Sequence, residues 1–325
     1  MTKLAYVLAA SHSGSTLLSM LLGAHPQIAT IGEMKLSANS MGHLSLYRCS
    51  CGELIRQCRF WKRIKQGMED RGFVFDLACA GTDYRSLESR YARRLMAVTH
   101  RGSFLECLRD AALSLSPVWR SQLPDIHRRN AALAAIIARI TGAEVIVDSS
   151  KNPVRLKYLL RNFKLDVKVI RLLRDGRAVA LTAMDTATYA DASDPALRGG
   201  GSGGYRDDEG LSISEAAHRW RRSIEEAEHV LGRLDRSRWI EVRYEDYCCD
   251  PDATLDRLHR FLGVESARQP QEFRSIEQHI VGNGMRLDTT SEIRLDERWR
   301  DVLNEEHLRI FDGIAGSMNR RYGYV

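Results

Sequence analysis

The chain has 325 residues, 44% of them apolar, enough for one large α/β domain or two small ones with a substantial core. Its 48 basic and 42 acidic residues leave a net charge of +6 and a pI near 9.0. No Lys/Arg run dominates, which argues against a polyanion-binding tail and leaves an anionic small ligand at least as good a partner as nucleic acid or an acidic membrane. No run reaches transmembrane length. Seven cysteines, an odd number spread over a long chain, argue against a secreted disulfide scaffold.

The apolar stretch Leu4 to Ala10 ends at Ser11-His12-Ser13-Gly14 without a signal-peptide cleavage context. It predicts a buried first strand, and with it a soluble, cytoplasmic protein. Thr16 to Ala24 predicts an apolar helix stopped by His25-Pro26. Residues from about 35 to 130 are charged and mainly helical in pattern, a helical insertion within one domain spanning 1–325. Strand character returns at Glu144 to Val147, after which Asn152-Pro153 supplies an N-cap and a helix-starting proline.

Val167 to Leu173 predicts another buried strand, followed by Asp175-Gly176 and a helix to about Thr188. The Gly/Ser/Asp-rich stretch 191–210 suits either a flexible surface linker or a mobile cover for an active site. Ser212 and Glu215 form a capping-box pattern ahead of a helix to about Leu234, in which Trp220 is expected in the core. Trp239 to Val242 is a further strand. Asp250-Pro251 starts the next helix, Gly263 ends it, and two helical stretches follow Asp296. Strands alternating with helices predict a P-loop-like, doubly wound parallel sheet flanked by helices, with ligands beyond the carboxyl ends of its strands.

The loop after the first strand carries the strongest chemical signal. Against the nucleotide-binding pattern G-x-x-x-x-G-K-[ST], Ala9 stands at the first Gly, Gly14 at the second, Ser15 at the Lys and Thr16 at the Ser/Thr. Gly14 permits close backbone approach, and successive amides at a helix N-terminus bind an anion. The lysine that reaches a terminal phosphate is missing, which turns the loop away from ATP or GTP. By itself the loop specifies a phosphate or a sulfate, without deciding which.

Ser13-Gly14-Ser15-Thr16-Leu17-Leu18, then His25-Pro26 and Gly32-Glu33, resembles the 5′-phosphosulfate-binding segment of sulfotransferases that use 3′-phosphoadenosine 5′-phosphosulfate (PAPS). The nearest branch resembles the tyrosylprotein sulfotransferases and their bacterial relatives. The resemblance implies a PAPS-dependent transferase that moves a sulfuryl group to a hydroxyl or amine on a small-molecule or peptide acceptor, releases 3′,5′-adenosine diphosphate and needs no metal. It implies that Ser13, Gly14, Ser15 and Thr16 hold the donor. His12 stands where the family usually has Arg or Lys, so the cation there depends on pH.

The same resemblance implies that Glu33 is the general base, and that Lys151 in Lys151-Asn152-Pro153 faces the donor's bridging oxygen. Read without the family, Lys151 is one of several basic neighbours that include Arg155, Lys157 and Arg161. Arg174-Asp175-Gly176-Arg177-Ala178 resembles the 3′-phosphate segment, which implies contacts from Arg174 and Thr182; Thr186 replaces a further family arginine. Tyr244, in a Tyr-Glu segment, and Asn283 and Arg286, in Gly282-Asn283-Gly284-Met285-Arg286, are the remaining donor contacts implied.

Cys49, Cys51 and Cys58 have a Cys-x-Cys-x6-Cys spacing, and His43 would complete a four-ligand set. That spacing matches no standard zinc module, so reduced or locally paired thiols and no metal are expected. Two other functions stay open on the residues alone. A P-loop kinase or NTPase is opposed by the missing lysine, and a nucleotide-binding protein without catalysis is separated only by assay.

Overall fold

The computed structural model describes residues 1–36, 47–85, 90–97, 103–189, 192, 210–266 and 272–325. Five parallel strands form one sheet in the order β2-β3-β1-β4-β5: β1 (Thr2–Ala9), β2 (Ile28–Thr30), β3 (Val145–Lys151), β4 (Leu165–Leu173) and β5 (Trp239–Arg243). Central β1 pairs with β3 on one edge and β4 on the other, so Leu4 faces both Ile146 and Val167. A strand covered on both faces needs apolar residues at every position, hence the unbroken run after Lys3. Leu4, Tyr6 and Leu8 enter one core, while Ala5, Val7 and Ala9 enter the other.

The first core lies under the segment between β2 and β3. There α2 (Arg59–Glu69), α3 (Arg90–Ala97), α4 (Ser103–Leu115) and α5 (Pro117–Thr141) follow one another, so helix continues past the expected limit near 130. Leu133, Ile136 and Ile137 of α5 meet Trp61, Ile64 and Met68 of α2. The second core is covered by α1 (Ser15–Gly23) and by the helix after Asp250-Pro251.

Local signals place the remaining boundaries. The Asn152 side chain accepts hydrogen bonds from the amides of Val154 and Arg155, which starts α6 (Pro153–Leu159). After β4 comes α7 (Gly176–Met184), shorter than expected. Asp185 leaves the helical region at φ −144°, and its carboxylate accepts the Thr188 amide at 3.0 Å to begin a separate turn. The Ser212–Glu215 capping box opens α8 (Ile213–Leu231), whose Trp220 is buried against Phe311. Short α9 (Tyr244–Cys249) and α10 (Pro251–Leu262) follow β5, and Gly263 ends α10 in the left-handed region at φ 75°. The possible cover at 191–210 lies outside the described residues apart from Ala192 and Gly210.

Because all five strands are parallel, their carboxyl ends share one edge. Glu33, Ser13, Arg174 and Tyr244 lie just after β2, β1, β4 and β5, and Lys151 is the last residue of β3. The chain turns to opposite sides of β1 before β3 and β4, a reversal that opens a ligand crevice at that edge.

Candidate active site

The loop after β1 is shaped for an anion. His12 and Gly14 both take positive φ, 65° and 84°. At Gly14 a Cβ would lie 2.2 Å from the Tyr247 hydroxyl oxygen and 2.5 Å from Cδ2 of Tyr244, so only glycine fits. Tyr247 donates to the Gly14 carbonyl at 2.8 Å and fixes the turn. Ser13 is buried, and its hydroxyl has no partner among the described residues. An orphaned hydroxyl beside the amides that open α1 is a site for phosphate or sulfate oxygens.

At the end of β2, Gly32 takes φ 78°, and a Cβ there would lie 2.0 Å from the Val281 carbonyl oxygen. The next residue, Glu33, turns into a nest of cations. Its carboxylate is bonded by the Lys151 ammonium and, at 2.9 Å, by Lys35. Burial pushes the Glu33 pKa upward, but the charges of Lys151 and Lys35 outweigh it and hold the group well below the usual carboxylate range. Lys151 itself adopts φ 65°, a rare conformation for a residue with a side chain, and also donates to the Ser149 carbonyl at 3.3 Å.

A buried polar frame supports this pair. Asp148 accepts from the amides of Met34 and Ser150 at 3.1 and 3.0 Å, tying the segment after β2 to the end of β3. Arg155 clamps Asp148 at 2.9 Å and also bonds the Thr82 carbonyl and the Asn130 side chain. Arg155 and Lys157 are both buried, while the Arg161 side chain is 54% exposed. Neither Asp148 nor Lys35 is singled out by the sequence, although Asp-Ser-Ser-Lys at a strand end offered a polar signal.

Arg174 sits at the end of β4, 6% exposed. Its guanidinium donates to the His12 carbonyl at 2.7 Å and to the Asp296 carboxylate at 2.9 Å, and lies 4.3 Å from the Tyr244 ring centre. Tyr244 packs on Gly14, and its hydroxyl accepts from the Asp296 amide at 3.2 Å. Thus His12, Gly14, Arg174 and Tyr244 are brought together, with Asp296 as a partner the sequence did not suggest.

Thr182 stands two turns into α7, where its hydroxyl donates to the Ala178 carbonyl at 3.0 Å. That proton is already used, so the residue can only accept unless the bond breaks. Asn283 caps the turn Gly284–Leu287 by accepting the Met285 amide at 2.9 Å. Arg286 is 1% exposed and bonds the carbonyls of Gly282, Asn283 and Arg48. The late loop still adjoins the site: a Cβ on Gly282 would lie 3.9 Å from both Glu33 and Thr16. His43 lies outside the described residues, and the histidine beside the three cysteines is His279.

Fold and loop together define a P-loop-like α/β protein whose first loop has Ser15 where the P-loop lysine would stand. The chain belongs to the Sulfotransferase family, whose profile matches residues 5–268. It is 28% identical over 173 residues to carbohydrate sulfotransferase 5 of Mus musculus, a match covering 51% of this chain and 44% of that protein. Carbohydrate sulfotransferase 3 of Homo sapiens is 24% identical over 200 residues, covering 61% and 40%. The match thus spans less than half the length of these curated relatives. Among solved structures, the sulfotransferase domain from the curacin biosynthetic pathway matches with 16% identity, 98% coverage of both chains and a TM-score of 0.48.

Proposed function

We propose that this protein is an enzyme that transfers the sulfuryl group of PAPS to a hydroxyl or amine acceptor. The observation that carries this reading is the Glu33–Lys151 pair on the same sheet edge as the Ser13–Thr16 loop. In the transfer, Glu33 takes the acceptor proton as the new S–O or S–N bond forms. Lys151 stabilises charge on the 5′-phosphate oxygen as the old S–O bond breaks. Backbone amides and hydroxyls of Ser13, Ser15 and Thr16 hold the sulfuryl end, and the partnerless Ser13 hydroxyl suits that task. His12 borders the same end, and Arg174 with Tyr244 serves the 3′-phosphate end, with Thr182, Asn283 and Arg286 as outer contacts.

The helical segment from about 35 to 130 forms the acceptor side of a single domain in this reading. The curated relatives are named for carbohydrates, which makes a sugar hydroxyl the first acceptor to test, ahead of other small molecules and peptides. All seven cysteines are unpaired, which supports a reducing, cytoplasmic location. Among the described residues no helix is long and apolar enough to cross a membrane.

The decisive experiment compares thermal unfolding with 3′,5′-adenosine diphosphate and with ATP. At about 100 times its dissociation constant a ligand adds about 2.7 kcal/mol, a readily measured shift in Tm. A shift with the 3′-phosphorylated nucleotide, followed by sulfuryl transfer in an acceptor screen, is expected. A shift with ATP alone overturns the reading, and nucleotide binding without transfer to any acceptor favours a non-catalytic protein.

A further inference from the structure

Four side chains able to ligate a metal converge beside the late segment that leads to Gly282. The sulfurs of Cys49, Cys51 and Cys58 and a ring nitrogen of His279 all lie within 4.8 Å of one another. Cys51 and Cys58 sulfurs are 3.7 Å apart, and Nδ1 of His279 is 3.6 Å from the Cys49 sulfur and 3.3 Å from that of Cys58. A tetrahedral zinc ion with Zn–S of about 2.3 Å and Zn–N of about 2.05 Å places sulfurs about 3.8 Å from each other and about 3.6 Å from the nitrogen. These three distances are close to that size, and the remaining pairs stay within 4.8 Å. A disulfide needs sulfurs about 2.05 Å apart, much closer than any pair here.

We propose that Cys49, Cys51, Cys58 and His279 bind one zinc ion that is structural, apart from the transfer chemistry. Three thiolates and an imidazole in a tetrahedron favour zinc over the harder cations magnesium and calcium. The unusual Cys-x-Cys spacing works because the chain doubles back tightly. The Cys49 amide donates to the Glu53 carbonyl at 2.9 Å, the Gly52 amide donates to the Cys49 carbonyl at 2.9 Å, and Gly52 takes φ 85°. Cys58 is the N-cap of α2, where the helix dipole favours a thiolate. Cys49 and Cys58 are fully buried, and the Phe60 ring stacks on His279 at 4.4 Å and 9°. Glu277 faces Nε2 of His279 at 3.2 Å, the outer partner that leaves Nδ1 free to ligate.

The ion would fasten two distant segments. Ser50 donates to the Gln278 carbonyl at 2.6 Å and accepts the Ile280 amide at 2.8 Å, while the Tyr47 hydroxyl accepts the Gly282 amide at 2.8 Å. Gly282 in turn borders Glu33 and Thr16. Zinc therefore holds the late loop against the transfer site without touching a reacting atom.

The test is elemental analysis of the full chain, purified under reductant from zinc-supplied cells, with cobalt(II) replacement as a spectroscopic readout. About one zinc per chain is expected. Cys58→Ser and His279→Ala should lose it, and Cys79→Ser and Cys249→Ser, at exposed cysteines, should keep it. Cobalt in the wild-type chain should show intense thiolate charge-transfer bands and tetrahedral d–d bands, a readout that stands even if the ligand variants do not fold. Reduced, folded wild-type protein that takes up neither zinc nor cobalt overturns the proposal. So does a Cys51–Cys58 disulfide in the reduced preparation, or full zinc content in a Cys51→Ser/Cys58→Ser double variant. None of these results depends on which nucleotide or acceptor the enzyme uses.

Discussion

In the proposed donor site, the two ends hold their key charges in opposite senses. At the sulfuryl end an anion, Glu33, is pinned by two cations, Lys151 and Lys35. At the 3′ end a cation, Arg174, is pinned by an anion, Asp296, and by the His12 carbonyl. In that reading a donor negative at both ends would compete for Lys151 at one and for Arg174 at the other. The first exchange strengthens a base, because Glu33 loses a neighbouring charge that suppresses its pKa. The second only trades one anion for another. Chemistry is therefore expected to depend on the Glu33 end, and affinity on the Arg174 end.

The largest effects test the sulfuryl end. Glu33→Gln should lower turnover by about 10²–10⁴-fold, the usual worth of a general base. Lys151→Ala should lower it by about 10²–10³-fold, the loss typical of one donor to a developing oxyanion. Both should leave affinity for 3′,5′-adenosine diphosphate within a few-fold, measured by calorimetry. The pH profile separates their roles. With Lys151 removed, burial regains weight against the remaining Lys35 charge, so the acid limb of residual activity should move to higher pH. A limb that stays in place would mean Lys151 does not tune Glu33.

Arg174→Ala reverses the pattern. Charge-assisted hydrogen bonds are worth about 1.5–3 kcal/mol, so nucleotide affinity should fall by about 10- to 100-fold, with a smaller change in turnover at saturation. A loss confined to turnover would break the division between the two ends.

Asp296→Asn sharpens it further. Burial raises the Asp296 pKa, but hydrogen bonds from Arg298 and the charge of Arg174 bring it down to about 2. A depressed carboxylate stabilises the fold above its unfolded pKa of about 3.9 and loses that contribution as pH falls toward its folded value. With solvent screening at a side chain 22% exposed, the contribution is about 1–2 kcal/mol at neutral pH. The Tm difference between wild type and Asp296→Asn should therefore be largest near pH 6 and shrink below pH 4. At neutral pH the variant should also bind the nucleotide several-fold more tightly, since Arg174 no longer has to leave an anion.

Features set by neighbouring residues were legible in the sequence. The β1 strand, the Asn152 cap and the Ser212–Glu215 box all depend on side chains a few residues apart. Pairings across the sheet edge were not. Glu33 and Lys151 meet across 118 positions, and Arg174 and Asp296 across 122, distances no local pattern encodes. Glu33 and Lys151 were found only through family resemblance, and Asp296 was not found at all. The cysteines show the same limit. The three cysteines lie close in sequence, but the histidine beside them is His279, 221 residues from Cys58, a partner that no local spacing reveals.

The smallest effect concerns Thr182. The resemblance makes it a 3′-phosphate contact, while the structure spends its only proton on the Ala178 carbonyl one turn back. Donating to a phosphate would require breaking that bond inside a buried helix, which returns little net energy. Thr182→Val keeps the shape and removes the hydroxyl. It should weaken nucleotide binding by less than about threefold, against the 10- to 100-fold expected for Arg174→Ala. A tenfold loss would show that the hydroxyl turns to the phosphate when the nucleotide binds, and would move α7 from the frame of the 3′ end into its working surface.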